Sequence, residues 1–220
     1  MSLRSARTSV RVQHRLTRPG RQARLRPALA FTLVFLLSGC QPVMTTSAAH
    51  SATAPERPYT GTVADWPMFF KRHVFGAFCF DTTACSVVYA GRDHGNPAPT
   101  PAKASLGADR YDEIMRGSFG DLANFPPPAE LRWTAKDGTE LTASVDFDPL
   151  FPERLILHNV PRGEIPEDVS MGFTHVLLEI DDRTVTVYTR TMIPTRTEQV
   201  PGNRFSTSRD DLIQVWTHTY

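Results

Sequence analysis

The chain has 220 residues, with 24 Lys and Arg against 23 Asp and Glu, a formal net charge of +1 at pH 7 and three cysteines. That near-balance averages two unlike parts: residues 1–27 hold eight of the arginines and no acid, leaving 16 basic against 23 acidic residues downstream, a net of about −7 with histidine neutral. A field of that sign argues against holding DNA, RNA or anionic headgroups on a general positive surface, and leaves a basic protein partner or a cationic ligand open.

The arginine-rich start is followed by an apolar run, Ala28 to Leu37, and then by Leu37-Ser38-Gly39-Cys40. About a dozen apolar residues are too few to cross roughly 30 Å of hydrocarbon, so a permanent transmembrane helix is not expected. A basic arm for nucleic acid would need no apolar segment behind it, whereas a charged region, an apolar region and small residues before a cut site are the layout of an export signal. Leu37-Ser38-Gly39-Cys40 resembles the lipobox of bacterial lipoproteins, in which small residues admit a dedicated peptidase and the cysteine thiol carries lipid. The resemblance implies that residues 1–39 are a lipoprotein signal peptide and that Cys40 is the lipidated residue. Acyl chains such as palmitate would hold it, each buried methylene contributing about 0.8 kcal/mol. Gln41 stands where the retention signal of Gram-negative lipoproteins has aspartate, which implies a lipid-anchored protein of the outer membrane, on its periplasmic face.

Residues 40–65 are rich in Thr, Ser, Ala and Pro and show no apolar period, the composition of a flexible, solvated tether. Residues 66–220 then form a single β-rich periplasmic domain, long enough to bury its own core. Val74 to Phe80 and Cys85 to Tyr89 read as two β-runs around a short turn. Cys79 and Cys85 are the cysteines that remain once Cys40 is lipidated, and in an oxidising compartment they are expected to form a disulfide near the tip of that hairpin. Gly91 to Gly107, with Pro97, Pro99 and Pro101, reads as an exposed loop, and Asp109 to Arg116 as one short helix ended by Gly117.

The clearest alternation follows. Leu131, Trp133 and Ala135 alternate with polar residues, Lys136-Asp137-Gly138 turns, and Leu141, Ala143, Val145 and Phe147 alternate on the return, which predicts a half-buried antiparallel hairpin. Arg154 to His158 predicts a short strand. Thr174 to Ile180 and Thr184 to Arg190 predict a third hairpin around Asp181-Asp182-Arg183, and Leu212 to Thr217 a last strand. The sum is a mainly β, or β-rich α+β, fold in which antiparallel hairpins form a sandwich or a strongly bent sheet.

Signatures of catalysis are absent from the sequence: no Gly-x-Ser-x-Gly elbow, no His-Glu-x-x-His, no phosphate loop and no Gly-x-Gly-x-x-Gly. Ser118, in Gly117-Ser118-Phe119-Gly120, has flanking glycines at the wrong spacing and reads as a turn. His50, His73, His94, His158, His175 and His218 stand singly; His73, His158 and His175 could gather on separate strands, but no spacing forces a metal site. Asp146 and Asp148 read as solvent-facing strand positions rather than as an acid–base pair. Cys79 and Cys85 lack the Cys-x-x-Cys spacing of a redox centre. The expectation is therefore a binding protein with no catalytic residue, metal or cofactor. Asp181, Asp182 and Arg183 are its candidate partner-binding tip, because charged hairpin tips can meet a complementary surface.

Pro128-Ala129-Glu130-Leu131-Arg132-Trp133 before Lys136-Asp137-Gly138, together with Asp182-Arg183-Thr184-Val185-Thr186-Val187-Tyr188, resembles the lipoproteins encoded beside type VI secretion lipase effectors. The resemblance covers roughly residues 66 to 195. It implies an immunity protein that protects its bearer by covering the active site of a secreted phospholipase toxin. An interface of about 1,600 Å² would suffice, and tethering would raise the inhibitor's concentration where the toxin acts. The alternative is a general envelope lipoprotein that scaffolds an assembly or binds a small ligand. A hydrolase with scattered catalytic residues would instead need a nucleophile hydrogen-bonded to a histidine inside a pocket.

Overall fold

The computed structural model describes residues 60–220. The expected signal peptide (1–39), Cys40, His50 and the part of the expected tether up to residue 59 lie outside the described residues. The strands are β1 (Arg72–Phe80), β2 (Thr82–Tyr89), β3 (Arg92–Asp93), β4 (Phe119–Ala123), β5 (Ala129–Ala135), β6 (Glu140–Val145), β7 (Thr174–Asp181), β8 (Thr184–Thr191), β9 (Ile193–Pro194), β10 (Ser208–Arg209) and β11 (Ile213–Thr219). One helix, α1 (Ala108–Ile114), stands where the apolar spacing placed it. The described residues are β-rich with one α-helix, as the alternation of the strands implies.

Two sheets enclose the core. The first has the order β11-β8-β7-β1-β4 and the second β3-β2-β5-β6, with β9 and β10 paired apart. Hairpin β5–β6 forms in the expected register, Leu131 opposite Ala143 and Trp133 opposite Leu141. Gly138 supplies the positive φ (85°) of its turn. Hairpin β7–β8 also forms as expected, with Asp182 at φ 52° in the connection.

Two expectations are corrected. First, β1 and β2 are not a hairpin: β1 pairs with β7 and β4, β2 with β5 and β3. Asp81, the single residue between them, adopts φ 53° and turns the chain from one sheet into the other. The pairing of β1 with β7 is moreover parallel, so the first sheet is mixed rather than purely antiparallel. Second, Arg154 to His158 forms no strand; Arg154 takes φ 57°, and only Leu155 bridges, to Phe69.

Both sheets turn alternate residues inward. Phe75, Val176, Leu178, Ile180, Val185 and Val187 from the first meet Val87, Tyr89, Leu131, Trp133, Val145 and Phe147 from or beside the second, all buried. Each such side chain contributes about 1.5–3 kcal/mol on leaving water. Val63 is fully buried in the same core, and Thr62 bridges Ser170, so the packed fold includes residues 60–65 ahead of Trp66. Strand β7 is buried almost throughout, because the segment 103–116 covers its outer face.

Candidate functional site

Cys79 and Cys85 form the expected disulfide, with Cα atoms 6.5 Å apart. Because β1 and β2 belong to different sheets, the bond pins the two layers together beside the Asp81 corner rather than pinching a hairpin tip. Asp181, Asp182 and Arg183 lie at the same pole and are engaged internally. Trp133 donates its indole N–H to the Asp182 carbonyl at 2.7 Å, and the Lys136 N–H donates to Asp182 Oδ1 at 3.1 Å. Arg183 donates to Asp137 Oδ2 at 2.6 Å and to Thr139 Oγ1 at 2.9 Å. The Arg183 hydrogen bond holds the Asp137 carboxyl far below the usual carboxylate range. Asp182 and Arg183 clasp the β7–β8 turn to the β5–β6 turn, and a partner would have to compete with that clasp.

A site with room for a ligand lies elsewhere among the described residues, at the open side of β1. Strand β4 pairs with β1 only as far as Phe75, opposite Phe119. From Gly76 to Phe80, β1 has β7 on one side and no strand on the other. Two glycines allow close backbone approaches here, Gly76 of β1 to the turn at Gly117 and Gly95 to β2. A Cβ on Gly76 would stand 2.3 Å from the Gly117 carbonyl, and one on Gly95 2.3 Å from the Cys85 carbonyl. Between the two turns is an open cleft of about 340 Å³, lined by the Phe75 to Phe78 stretch, Arg92, Asp93, His94, Ser118 and Phe119.

The chemistry of the cleft is mixed. Arg92 lies over the Phe119 ring, 4.0 Å from its centroid, and makes no ion pair among the described residues. Asp93 is spent on the turn: it accepts from the backbone N–H of Gly95 (2.8 Å) and Val87 (3.0 Å) and from the Ser86 hydroxyl (2.7 Å). Those hydrogen bonds outweigh burial and lower its pKa. His94 packs between Phe75 and Phe119, at centroid distances of 5.0 and 5.6 Å. Burial lowers its pKa, outweighing a hydrogen bond with the Tyr89 backbone that acts the other way. Its Nε2 is buried and has no hydrogen-bond partner. Ser, His and Asp thus share one cleft without the hydrogen bonds of a nucleophilic triad: His94 Nε2 is unpaired and Asp93 holds backbone. What the cleft offers is an open strand edge, an unpaired cation, an apolar wall and a buried ring nitrogen.

The remaining histidines are dispersed. His73 is fully buried, its Nδ1 2.8 Å from Asn124 Oδ1 and its Nε2 3.1 Å from the Tyr89 hydroxyl, and burial lowers its pKa. His158 Nδ1 accepts from the Val160 N–H at 3.2 Å, and His218 stacks on Trp216. His175 sits opposite Arg190 in the β7–β8 register, with its Nδ1 unpaired. No group of three possible metal ligands occurs among the described residues. Asp146 and Asp148 belong to one turn: the Asp148 N–H donates to Asp146 Oδ1 at 3.0 Å, and the Asp148 carboxylate pairs with Arg154.

Under α1 lies a buried polar layer that sequence periodicity did not reveal. Glu179 on β7 is 2% exposed and accepts from Lys103 Nζ at 2.6 Å and from the Tyr111 hydroxyl at 2.5 Å. Beside it, Arg190 pairs with Asp112, which also binds Arg116, and Arg116 reaches Asp210. Sequence reading also missed the cleft, because it assigned Gly91–Gly107 to a solvated loop and Gly117–Gly120 to a plain turn. The local signal was the glycines at 76 and 95, which the structure uses for close approach. Comparison with protein-family models, with curated proteins and with solved structures gives no match for the chain.

Proposed function

We propose that the protein is a lipid-anchored envelope protein of the outer membrane, facing the periplasm, that works by binding a protein partner rather than by catalysis. We further propose that the partner is a secreted phospholipase toxin, which the domain neutralises by covering its active-site mouth. The observation that carries the binding reading is the edge of β1 that no strand covers from Gly76 on, exposed to an open cleft at Gly76–Phe78. An extended segment of a partner can add to such an edge, the main chain supplying affinity and the flanking side chains selectivity. Arg92 would meet an acidic group of that segment, and Phe78 and Phe119 an apolar one.

Three features support the setting. The lipobox-like Leu37-Ser38-Gly39-Cys40 supplies an anchor, the Cys79–Cys85 bond suits an oxidising compartment, and the net charge of about −7 beyond residue 27 would speed encounter with a basic toxin. A second reading, an envelope lipoprotein that scaffolds an assembly or takes a small ligand, is favoured by the polar groups Arg92 and His94 in the same cleft. The test is capture from the native envelope with the anchored protein as bait, followed by a phospholipase assay on what is retained. A captured phospholipase whose activity falls on adding the protein, and recovers when Arg92→Glu is added instead, supports immunity. Capture of envelope machinery, or inhibition indifferent to Arg92→Glu, removes the toxin or the cleft from the account.

A further inference from the structure

We propose that the pole of the domain where the chain arrives from residue 59 is a lipid-facing surface, seated against a zwitterionic bilayer when Cys40 is anchored; the proposal rests on the lipoprotein reading. The first described residues fix the place. Thr62 bridges Ser170, and the Met171 N–H donates to the Gly61 carbonyl at 3.2 Å. The Gly172 N–H in turn donates to the Met192 carbonyl at 3.2 Å. The chain therefore arrives where β1, β7 and β11 begin and β8 ends.

Exposed apolar side chains concentrate at this pole. Of seven large exposed hydrophobics among the described residues, five belong to its segments: Trp66 (43% exposed), Phe173 (63%), Met192 (52%), Val200 (55%) and Phe205 (80%). Single surface hydrophobics need no explanation, but a cluster marks a surface that is covered in use. Val200 and Phe205 are held out by an ordered loop. The N–H of Thr195 donates to the Thr207 carbonyl at 2.9 Å, that of Gln199 to Ser206 at 2.8 Å, and that of Ser206 to Asn203 at 2.9 Å.

The chemistry matches the boundary between acyl chains and headgroups. Arg204 lies over the Phe205 ring at 4.8 Å and Arg162 over Trp66 at 5.0 Å. A ring facing acyl chains beside a guanidinium facing phosphate is how amphipathic side chains sit at a bilayer surface. Glu164, Glu167 and Glu198 on the same segments offset the arginines, which fits a zwitterionic rather than an anionic surface. The length of chain outside the structure favours lipid over another occupant. Nineteen residues separate Cys40 from Thr60, and Thr60 enters the domain at this pole. A pole joined to an anchor meets the membrane as an intramolecular event, so a weak contact suffices.

The experiment uses the full chain with an anchor that does not depend on biological acylation. With Cys79 and Cys85 bonded to each other, Cys40 is the one remaining cysteine. It is coupled to a maleimide headgroup lipid in phosphatidylcholine vesicles, with or without brominated acyl chains. Two added fluorophores are compared, Phe205→Trp at the proposed surface and Glu140→Trp at the opposite pole, each read as the increment over wild type. Brominated lipid is expected to reduce the Phe205→Trp increment at least about twofold and to leave that of Glu140→Trp unchanged, since only a ring at the acyl boundary is reached. Equal response of the two would overturn the proposal, as would protection of Phe205→Trp by self-association or by a protein partner. The anchor reading is judged separately by the mass of Cys40 in native protein. An unmodified Cys40 would sink that reading while the quenching contrast still decides the surface.

Discussion

Replacing Glu179 by alanine tests whether the polar layer under α1 holds that face of the first sheet together. Burial by itself depresses the Lys103 ammonium, yet the hydrogen bond and charge of Glu179 more than offset it and leave its pKa raised. Removing one partner of a buried ion pair typically costs about 3–5 kcal/mol. Lys103 keeps 32% of its side chain in water and can turn outward, against 2% for Glu179, which places the expected loss near the lower end, about 3 kcal/mol. The Tyr111 hydroxyl would lose its acceptor at the same time, within a cost of about 1–3 kcal/mol for an unpaired buried polar group. A domain of this length should then melt roughly 10 °C lower. Urea unfolding followed by tryptophan emission, in a cycle with Lys103→Met, measures the loss and the coupling. A destabilisation under about 1 kcal/mol, or a cycle without coupling, would refute the reasoning.

Reducing the disulfide, or Cys79→Ser with Cys85→Ser, should lower stability by about 2 kcal/mol, the loop-entropy value for a short closed loop; no change in the urea midpoint would show that the corner is set by β1 and β2 alone. Gly76→Ala should destabilise by about 1–3 kcal/mol through overpacking, because its Cβ would stand 2.3 Å from the Gly117 carbonyl, and should weaken partner capture more than Gly107→Ala, where the space is open. Lowering the pH from 7.5 to 5.5 should destabilise the fold. Burial lowers the pKa of His73, His94, His158 and His175 below the usual 6.5. The unfolded chain therefore takes up protons first, and stability is full above about 6.5 and is lost as pH falls through the folded values. For His73, fully buried, the slope can reach about 1.4 kcal/mol per pH unit. A midpoint that rises on acidification over this range would contradict the burial of these rings.

How far the sequence revealed the fold depended on whether a segment's partner was its neighbour. Strands β5–β6 and β7–β8 could be read because alternation and an intervening turn specify a hairpin locally. Strands β1 and β2 carry the same local pattern, and nothing in it distinguishes a hairpin from a corner. The difference lies in Asp81, a non-glycine at positive φ, and in β7, which lies nearly a hundred residues away and supplies the pairing β1 takes. The predicted strand after Arg154 failed for a similar reason, since a left-handed residue at its start breaks the run. Strand β4 was hidden by the glycines around it. The cleft was invisible because its walls come from β1, from the turn after β2 and from the segment before β4, which share no sequence motif.

The Asp181 to Arg183 tip shows the opposite error. Its charges suggested an outward role, yet the neighbours that occupy them, Lys136, Asp137 and Thr139, belong to another hairpin and could not be paired from spacing. Glu179 was likewise readable only as a polar position on a strand. Its burial depends on Lys103 and Tyr111, 76 and 68 residues away in the chain.

The central claim, that a protein partner adds to the open edge of β1, is tested most directly by amide hydrogen exchange on the protein with and without the captured partner. The account predicts new protection of the amides between Gly76 and Phe80, together with slower exchange in the Arg92–Gly95 turn. Unchanged exchange there, with protection appearing only at the Asp181–Arg183 tip or on α1, would contradict it.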